Sequence, residues 1–273
     1  CVFFFFFFLF FIFFFSFFTS CALQAETVFS IEGHQYTVVR QIARGGFGDV
    51  FEVRDEAGQQ WALKQMNVQP EAGETVRREI GFLREFSRSP HVVFLESAVR
   101  SAQPRAGGTN EVVMVFELCV GNLADVLWPT PERARVLREQ TVLAILHQVA
   151  CSLEPLHGRP RGAVAHRDLK PENVLLSTRG RIAPECQLPT DAGAGLRGAI
   201  FKLCDFGSAT DKFYCPSTDR ERMEAEDDIQ RNTTLVYRAP EQVDLYMGKW
   251  VTEKVDIWAL GGVLYYLMFG QLA

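Results

Sequence analysis

Apolar positions change their period along the chain. Residues 36–66 contain three short stretches rich in β-branched and aromatic side chains: YTVVRQIAR, DVFEVRD and QWALKQM. Gly-rich and polar turns separate them, so each predicts a strand. Over 72–88 the period lengthens. Val76, Ile80 and Leu83 recur at helical spacing with charges on the other face, which predicts a helix. EVVMVFELC (111–119) is a nearly continuous apolar run and predicts a buried strand. Residues 139–157 predict a long apolar-periodic helix, 239–247 a short one, and 253–269 a strongly apolar one. Two segments rich in turn residues, 101–110 and 177–198, predict loops. Strands come first and helices later, so the expected class is α+β: a small sheet lobe joined to a helical lobe.

Composition changes this picture in one place. Thirteen of the 24 Phe fall in residues 1–18. Three readings compete for residues 1–25. One is the apolar part of a signal peptide, with small residues near Ser20 to Ala22. Another is a membrane-spanning helix at the short limit of length. The third is translated non-coding sequence, favoured because no Lys or Arg precedes Arg40 and the chain begins with Cys1. The net charge of −5 gives no reason to expect nucleic-acid or anionic-membrane binding. The seven cysteines are scattered, with no C-x-x-C pair. That fits a reducing compartment and argues against a disulfide framework or a zinc site.

The candidate chemistry lies in a few short motifs. Ala43-Arg44-Gly45-Gly46-Phe47-Gly48-Asp49-Val50 stands between two predicted strands, where glycines let backbone N–H groups approach phosphates. Trp61-Ala62-Leu63-Lys64 places a cation on the third strand. His166-Arg167-Asp168-Leu169-Lys170-Pro171-Glu172-Asn173 combines a carboxylate able to accept a hydroxyl proton, a cation able to neutralise a phosphoryl group, and a hard oxygen ligand for Mg²⁺. Cys204-Asp205-Phe206-Gly207 and Ala239-Pro240-Glu241 follow in order.

Order and spacing together resemble a eukaryotic protein kinase over residues 36–273. The resemblance implies a bilobal fold: an N-lobe and hinge over 36–119, with an antiparallel sheet and one helix, and a mainly helical C-lobe over 120–273 that is incomplete and carries the 177–198 insertion. It implies ATP and Mg²⁺, and a protein substrate bearing a Ser or Thr hydroxyl. Gly45, Gly46 and Gly48 then cover the phosphates. Lys64 pairs with them and with Glu79. Ile42, Val50, Ala62 and Leu175 enclose the purine beside Phe116, and the hinge Glu117-Leu118-Cys119 meets its edge. Asp168 is the base, Lys170 the neutralising cation, and Asn173 and Asp205 the metal ligands. Phe206 packs beneath the helix of Glu79, and Asp256 holds the catalytic loop from below. Thr234 belongs with the Ser/Thr preference.

Finer motifs are similar to the Numb-associated kinases: Ala43 in the first glycine position, Lys202 to Thr210, Glu226-Asp227-Asp228-Ile229, and Asn232 to Glu241. That likeness implies a cytoplasmic enzyme acting on endocytic adaptor or actin-patch proteins. Pro171 and the 177–198 insertion depart from it. Arg167 is a cation that phosphorylated Ser217, Thr218 or Thr233 would pair with, whereas the likeness to the Numb-associated kinases implies an ordered helical activation segment that needs no phosphate. The alternative is an inactive kinase remnant or pseudokinase-like interaction module. It draws on the apolar 253–269 helix, expected at the centre of a lobe and wrapped by helices beyond residue 273, and on Glu241, whose arginine partner is expected there too. A chain lacking that cover is expected to be unstable.

Overall fold

A computed structural model of the protein describes residues 27–45, 48–101, 109–127, 137–178, 196 and 198–270. The Phe-rich segment 1–25, Gly46 and most of the 101–110 and 177–198 loops lie outside the described residues.

The first lobe is a six-stranded antiparallel sheet crossed by one helix. Its strands are β1 (Val28–Ile31), β2 (His34–Gly45), β3 (Gly48–Arg54), β4 (Gln60–Val68), β5 (Leu95–Arg100) and β6 (Asn110–Glu117). They lie in the order β1-β2-β3-β4-β6-β5. The helix is α1 (Gly73–Phe86). The continuous apolar run of β6 follows from burial on both faces. Val113 and Val115 pack with Ile31, Tyr36, Val53 and Leu63. Val112 and Met114 join the main core with Phe82, Leu83 and Phe86 of α1. Alternate residues of a strand face opposite sides, so one run serves two cores.

Gly45 and Gly48 pair across the β2–β3 turn. Gly48 has φ 112°, and a Cβ there would stand 2.2 Å from the Gln65 carbonyl oxygen. No other residue type fits without moving β4.

The second lobe begins with β7 (Gly121–Asn122), α2 (Leu123–Leu127) and α3 (Glu139–His157). A small sheet of β7, β8 (Val174–Ser177) and β9 (Ile200–Leu203) lies between the lobes. All four residues of β9 are buried. Its backbone is satisfied by α3 and by the segment before β5. The Phe201 amide donates to Gln148 Oε1 at 2.8 Å, and the Leu203 amide donates to the His91 carbonyl at 2.8 Å.

Helices α4 (Asp219–Asn232), α5 (Pro240–Val243) and α6 (Val255–Phe269) complete the described chain. The predicted 239–247 helix is broken: α5 ends at Val243, and Leu245–Met247 form a separate 3-10 turn. Helix α6 is apolar nearly all round in sequence. It buries a stripe of Val255, Asp256, Ala259, Val263 and Leu267. Ile257, Trp258, Met268 and Phe269 are exposed. Among the described residues, no helix is long and apolar enough to cross a membrane.

Candidate active site

Lys64 sits mid-strand on β4, opposite Val50 on β3 and Met114 on β6. Glu79 lies on α1, on the face that also carries Phe82 and Phe86. It is buried, not the solvated charge that an amphipathic helix suggests. Lys64 Nζ stands 3.5 Å from Glu79 Oε1. Burial pulls the Lys64 ammonium down, but the carboxylates of Glu79 and Asp205 outweigh it, and the net shift is upward. Lys64 therefore stays cationic. Burial pushes the Glu79 carboxyl up and Asp205 adds to this, with Lys64 countering in part.

The loop from His166 to Asn173 is held from below by one carboxylate. Asp256 is fully buried on α6. It accepts from the His166 amide at 2.7 Å, the Arg167 amide at 2.8 Å and His157 Nε2 at 2.9 Å. Arg167 is thereby kept at φ 69°, a conformation non-glycine residues adopt only under surrounding constraint. This fixes the next residue, Asp168, whose contacts converge. Thr234 Oγ1 donates to Asp168 Oδ1 at 2.6 Å. Lys170 Nζ donates to Asp168 Oδ2 at 2.7 Å and to Thr234 Oγ1 at 2.9 Å. Asn173 Nδ2 donates to the Asp168 carbonyl at 2.8 Å and to Oδ2 at 3.0 Å.

Asp205 follows β9 and also has a positive φ, 61°. Beside it Phe206 is buried, stacked on Phe86 of α1 at 6.2 Å and edge-on to His166 at 5.2 Å. One aromatic side chain thus links the Glu79 helix to the Asp168 loop. Among the described residues, no three His, Cys, Asp or Glu side chains form a metal cluster. The donors present still fit Mg²⁺. The amide hydrogen bonds of Asn173 leave its carbonyl oxygen available, and Asp205 adds a carboxylate. Mg²⁺ commonly takes one or two protein oxygens and completes its shell with phosphates and water.

The residues expected to enclose a purine fall on both lobes. Ala62 pairs with Phe116, and Val50 with Lys64. Val50, Ala62, Phe116, Cys119 and Leu175 are half-buried, while Ile42 is exposed. Gly45 and Gly48 flank the hairpin tip. Glu117 has a second engagement that its hinge position did not suggest. Its buried carboxylate accepts from Lys202 Nζ at 2.5 Å, Ser177 Oγ at 3.0 Å and the Phe94 amide at 2.8 Å. One side chain thus joins the residue before β5, the end of β6, β8 and β9.

The segment from Asp205 to Glu241 holds a helix that the residue pattern did not single out and that only the family likeness implied. Helix α4 lies within it, opened by a reciprocal cap. Thr218 Oγ1 accepts from the Glu221 amide, and Glu221 accepts from the Ser217 and Thr218 amides. These donors hold the Glu221 carboxyl down to about 2. Two turns on, Asp228 pairs with Arg167 Nη1, while Arg167 Nε donates to the Ser208 carbonyl at 2.7 Å. The cation expected to await a phosphate already has a carboxylate partner. Ser217, Thr218 and Thr233 are all in hydrogen bonds: the first two at the cap, and Thr233 Oγ1 to the Ile229 carbonyl at 2.7 Å. The Thr218-x-x-Glu221 spacing was the available signal for α4.

Comparison with known proteins agrees with this geometry. A protein kinase domain model matches residues 36–273. The chain is 38% identical over 244 residues to a probable serine/threonine-protein kinase of Dictyostelium discoideum, across 89% of this chain and 28% of that protein. A second probable serine/threonine-protein kinase of that organism is 34% identical over 242 residues, across 88% of this chain and 20% of its own length. The actin-regulating kinase PRK1 of Saccharomyces cerevisiae is 30% identical over 253 residues, across 89% of this chain and 28% of that protein. The chain thus spans about a quarter of the length of these relatives.

Proposed function

The chain belongs to the protein kinase family, and from that premise we propose that it is a serine/threonine protein kinase using Mg·ATP. The observation that carries this reading is the Asp168 carboxylate, ringed by Lys170, Asn173 and Thr234 within 3.0 Å. A substrate hydroxyl at Asp168 gives up its proton to the carboxylate as its oxygen bonds to the γ-phosphorus. The bond from that phosphorus to the bridging oxygen breaks, and ADP leaves with the electron pair. Lys170 offsets the charge on the transferring group, and Lys64, held by Glu79, does so on the remaining phosphates. Gly45, Gly46 and Gly48 cover the phosphates. Ile42, Val50, Ala62 and Leu175 enclose the purine, and the Glu117 and Cys119 backbone meets its edge. Mg²⁺, when bound, would be held by Asn173 and Asp205 and would neutralise phosphate charge.

The finer reading is a kinase of the Numb-associated type, acting in the cytoplasm on endocytic adaptor or actin-patch proteins. Its support is the sequence likeness from Lys202 to Glu241 and the similarity to a yeast kinase named for actin regulation. The alternative of an interaction module is not favoured, because Lys64, Asp168, Asn173 and Asp205 are all present.

The test is an in vitro kinase reaction on a panel of protein substrates, with phosphoamino-acid analysis. Phosphoserine and phosphothreonine, without phosphotyrosine, support the reading. Phosphotyrosine as the main product would overturn the hydroxyl preference.

A further inference from the structure

Arg159 has no part in the site described above, yet it joins three of the elements that build it. It follows α3 directly, past Gly158, which closes the helix by donating to the Glu154 carbonyl at 2.8 Å. Its side chain is only 13% exposed. Nε donates to Glu85 Oε1 at 2.9 Å, and Nη1 donates to Asp211 Oδ2 at 3.3 Å. The guanidinium carbon lies 5.7 Å from the centre of the Phe82 ring. Glu85 and Phe82 belong to the last turn and a half of α1. Asp211 is next to Thr210, which exchanges two backbone hydrogen bonds with Ala165 at 2.8 and 2.9 Å, just before the Asp168 loop.

The consequence for the site lies on α1. The pair between Lys64 and Glu79 is long, at 3.5 Å, and does not by itself fix the helix. Glu85 is six residues beyond Glu79, about 9 Å along the axis. A tie at that end limits rotation and outward swing of the whole helix. The stack of Phe82 on Phe86 at 6.1 Å, and of Phe86 on Phe206 at 6.2 Å, carries the same constraint towards Asp205. A planar guanidinium suits this position because it reaches two carboxylates in different directions while its face covers an aromatic ring.

We propose that Arg159 is a positioning residue for phosphoryl transfer, which holds Glu85, Phe82 and Asp211 together and thereby keeps Glu79 of α1 beside Lys64. The proposal rests on the kinase reading, and it concerns a residue that touches neither substrate nor metal. Its partners Glu85 and Asp211 are 39% and 44% exposed, so changing them leaves the core intact.

The experiment measures kcat and KM for ATP on the full protein. The variants are Arg159→Met, Arg159→Lys, Glu85→Gln, Glu79→Gln and the double variant Glu79→Gln/Arg159→Met. Arg159→Met lowers kcat/KM by about 2- to 30-fold, the range for residues that couple to a site without touching it. Glu85→Gln lowers it less, and Arg159→Lys, which reaches one carboxylate at a time, recovers part of the loss. The deciding readout is the double variant: once Glu79 is neutral, Arg159→Met adds no more than about a twofold change. The proposal is overturned if Arg159→Met keeps full activity, or if it loses as much in the Glu79→Gln background as in the unaltered protein. Should Arg159→Met fail to fold, Glu85→Gln alone and with Glu79→Gln decides by the same criteria. An unaltered protein that transfers no phosphate overturns the kinase reading as well, whereas an active one with an indifferent Arg159 overturns only this inference.

Discussion

Replacing Asp228 by Asn should loosen the 205–241 segment without disturbing the core. The amide keeps the volume of the side chain and removes its charge. Arg167 is 5% exposed and Asp228 40% exposed. Breaking a fully buried pair costs about 3–5 kcal/mol, and breaking an exposed pair costs about 0–1 kcal/mol. This pair is half of each kind, which gives about 1–3 kcal/mol, or about 5- to 150-fold in the docking equilibrium of α4. The hydrogen bond from Arg167 Nε to Ser208 remains. The effect reaches the reaction because Thr234, which donates to Asp168, lies two residues beyond α4. Asp228→Asn should therefore lower kcat/KM for a protein substrate and speed tryptic cleavage at Lys212, Arg220 and Arg231, while the thermal midpoint changes little. Unchanged kcat/KM together with unchanged cleavage would refute the reasoning.

Three further outcomes follow from the same geometry. Asp205→Ala should remove Mg²⁺-dependent transfer and leave the thermal transition in place, since this carboxylate is assigned to the proposed metal site and not to the core; robust transfer by the variant would exclude its role. Phosphatase treatment should leave specific activity unchanged, because Asp228 already occupies Arg167; a severalfold loss would show that a phosphate is needed after all. Iodoacetamide at pH 8 should spare Cys204 in peptide mass spectra of the native protein, because desolvation and the neighbouring Asp205 push its thiol well above the ordinary range even though the residue is only half-buried; early labelling there would contradict that upward shift.

What the sequence made legible followed from local constraint. The three strands of 36–66, the 72–88 helix and the His166–Asn173 loop carry their own patterns of residue types, and the structure places them as expected. Helix α4 was implied by family likeness alone and escaped the residue pattern, because it has little apolar period. Only Ala225 and Ile229 are buried, and its face is held by pairs such as Arg220 with Glu224 at 2.9 Å. Strand β9 escaped for the opposite reason: four buried residues are too few to show a period. The ties from Asp256 to the Arg167 amide, and from Lys202 to Glu117, span 89 and 85 residues. No spacing rule reveals such contacts. Asp256 was anticipated through family resemblance, and Lys202 was not.

The central claim is that Asp168 directs the transfer of a phosphoryl group to a hydroxyl. Its most direct test is a single-turnover reaction of the full protein with γ-labelled ATP, Mg²⁺ and a Ser/Thr-containing protein substrate, run beside Asp168→Asn. Loss of the proton acceptor should reduce the rate by about 10²- to 10⁴-fold, with nucleotide affinity unchanged because Asp168 is not among the residues assigned to the purine or the metal. Transfer by Asp168→Asn at the rate of the unaltered protein would contradict the account.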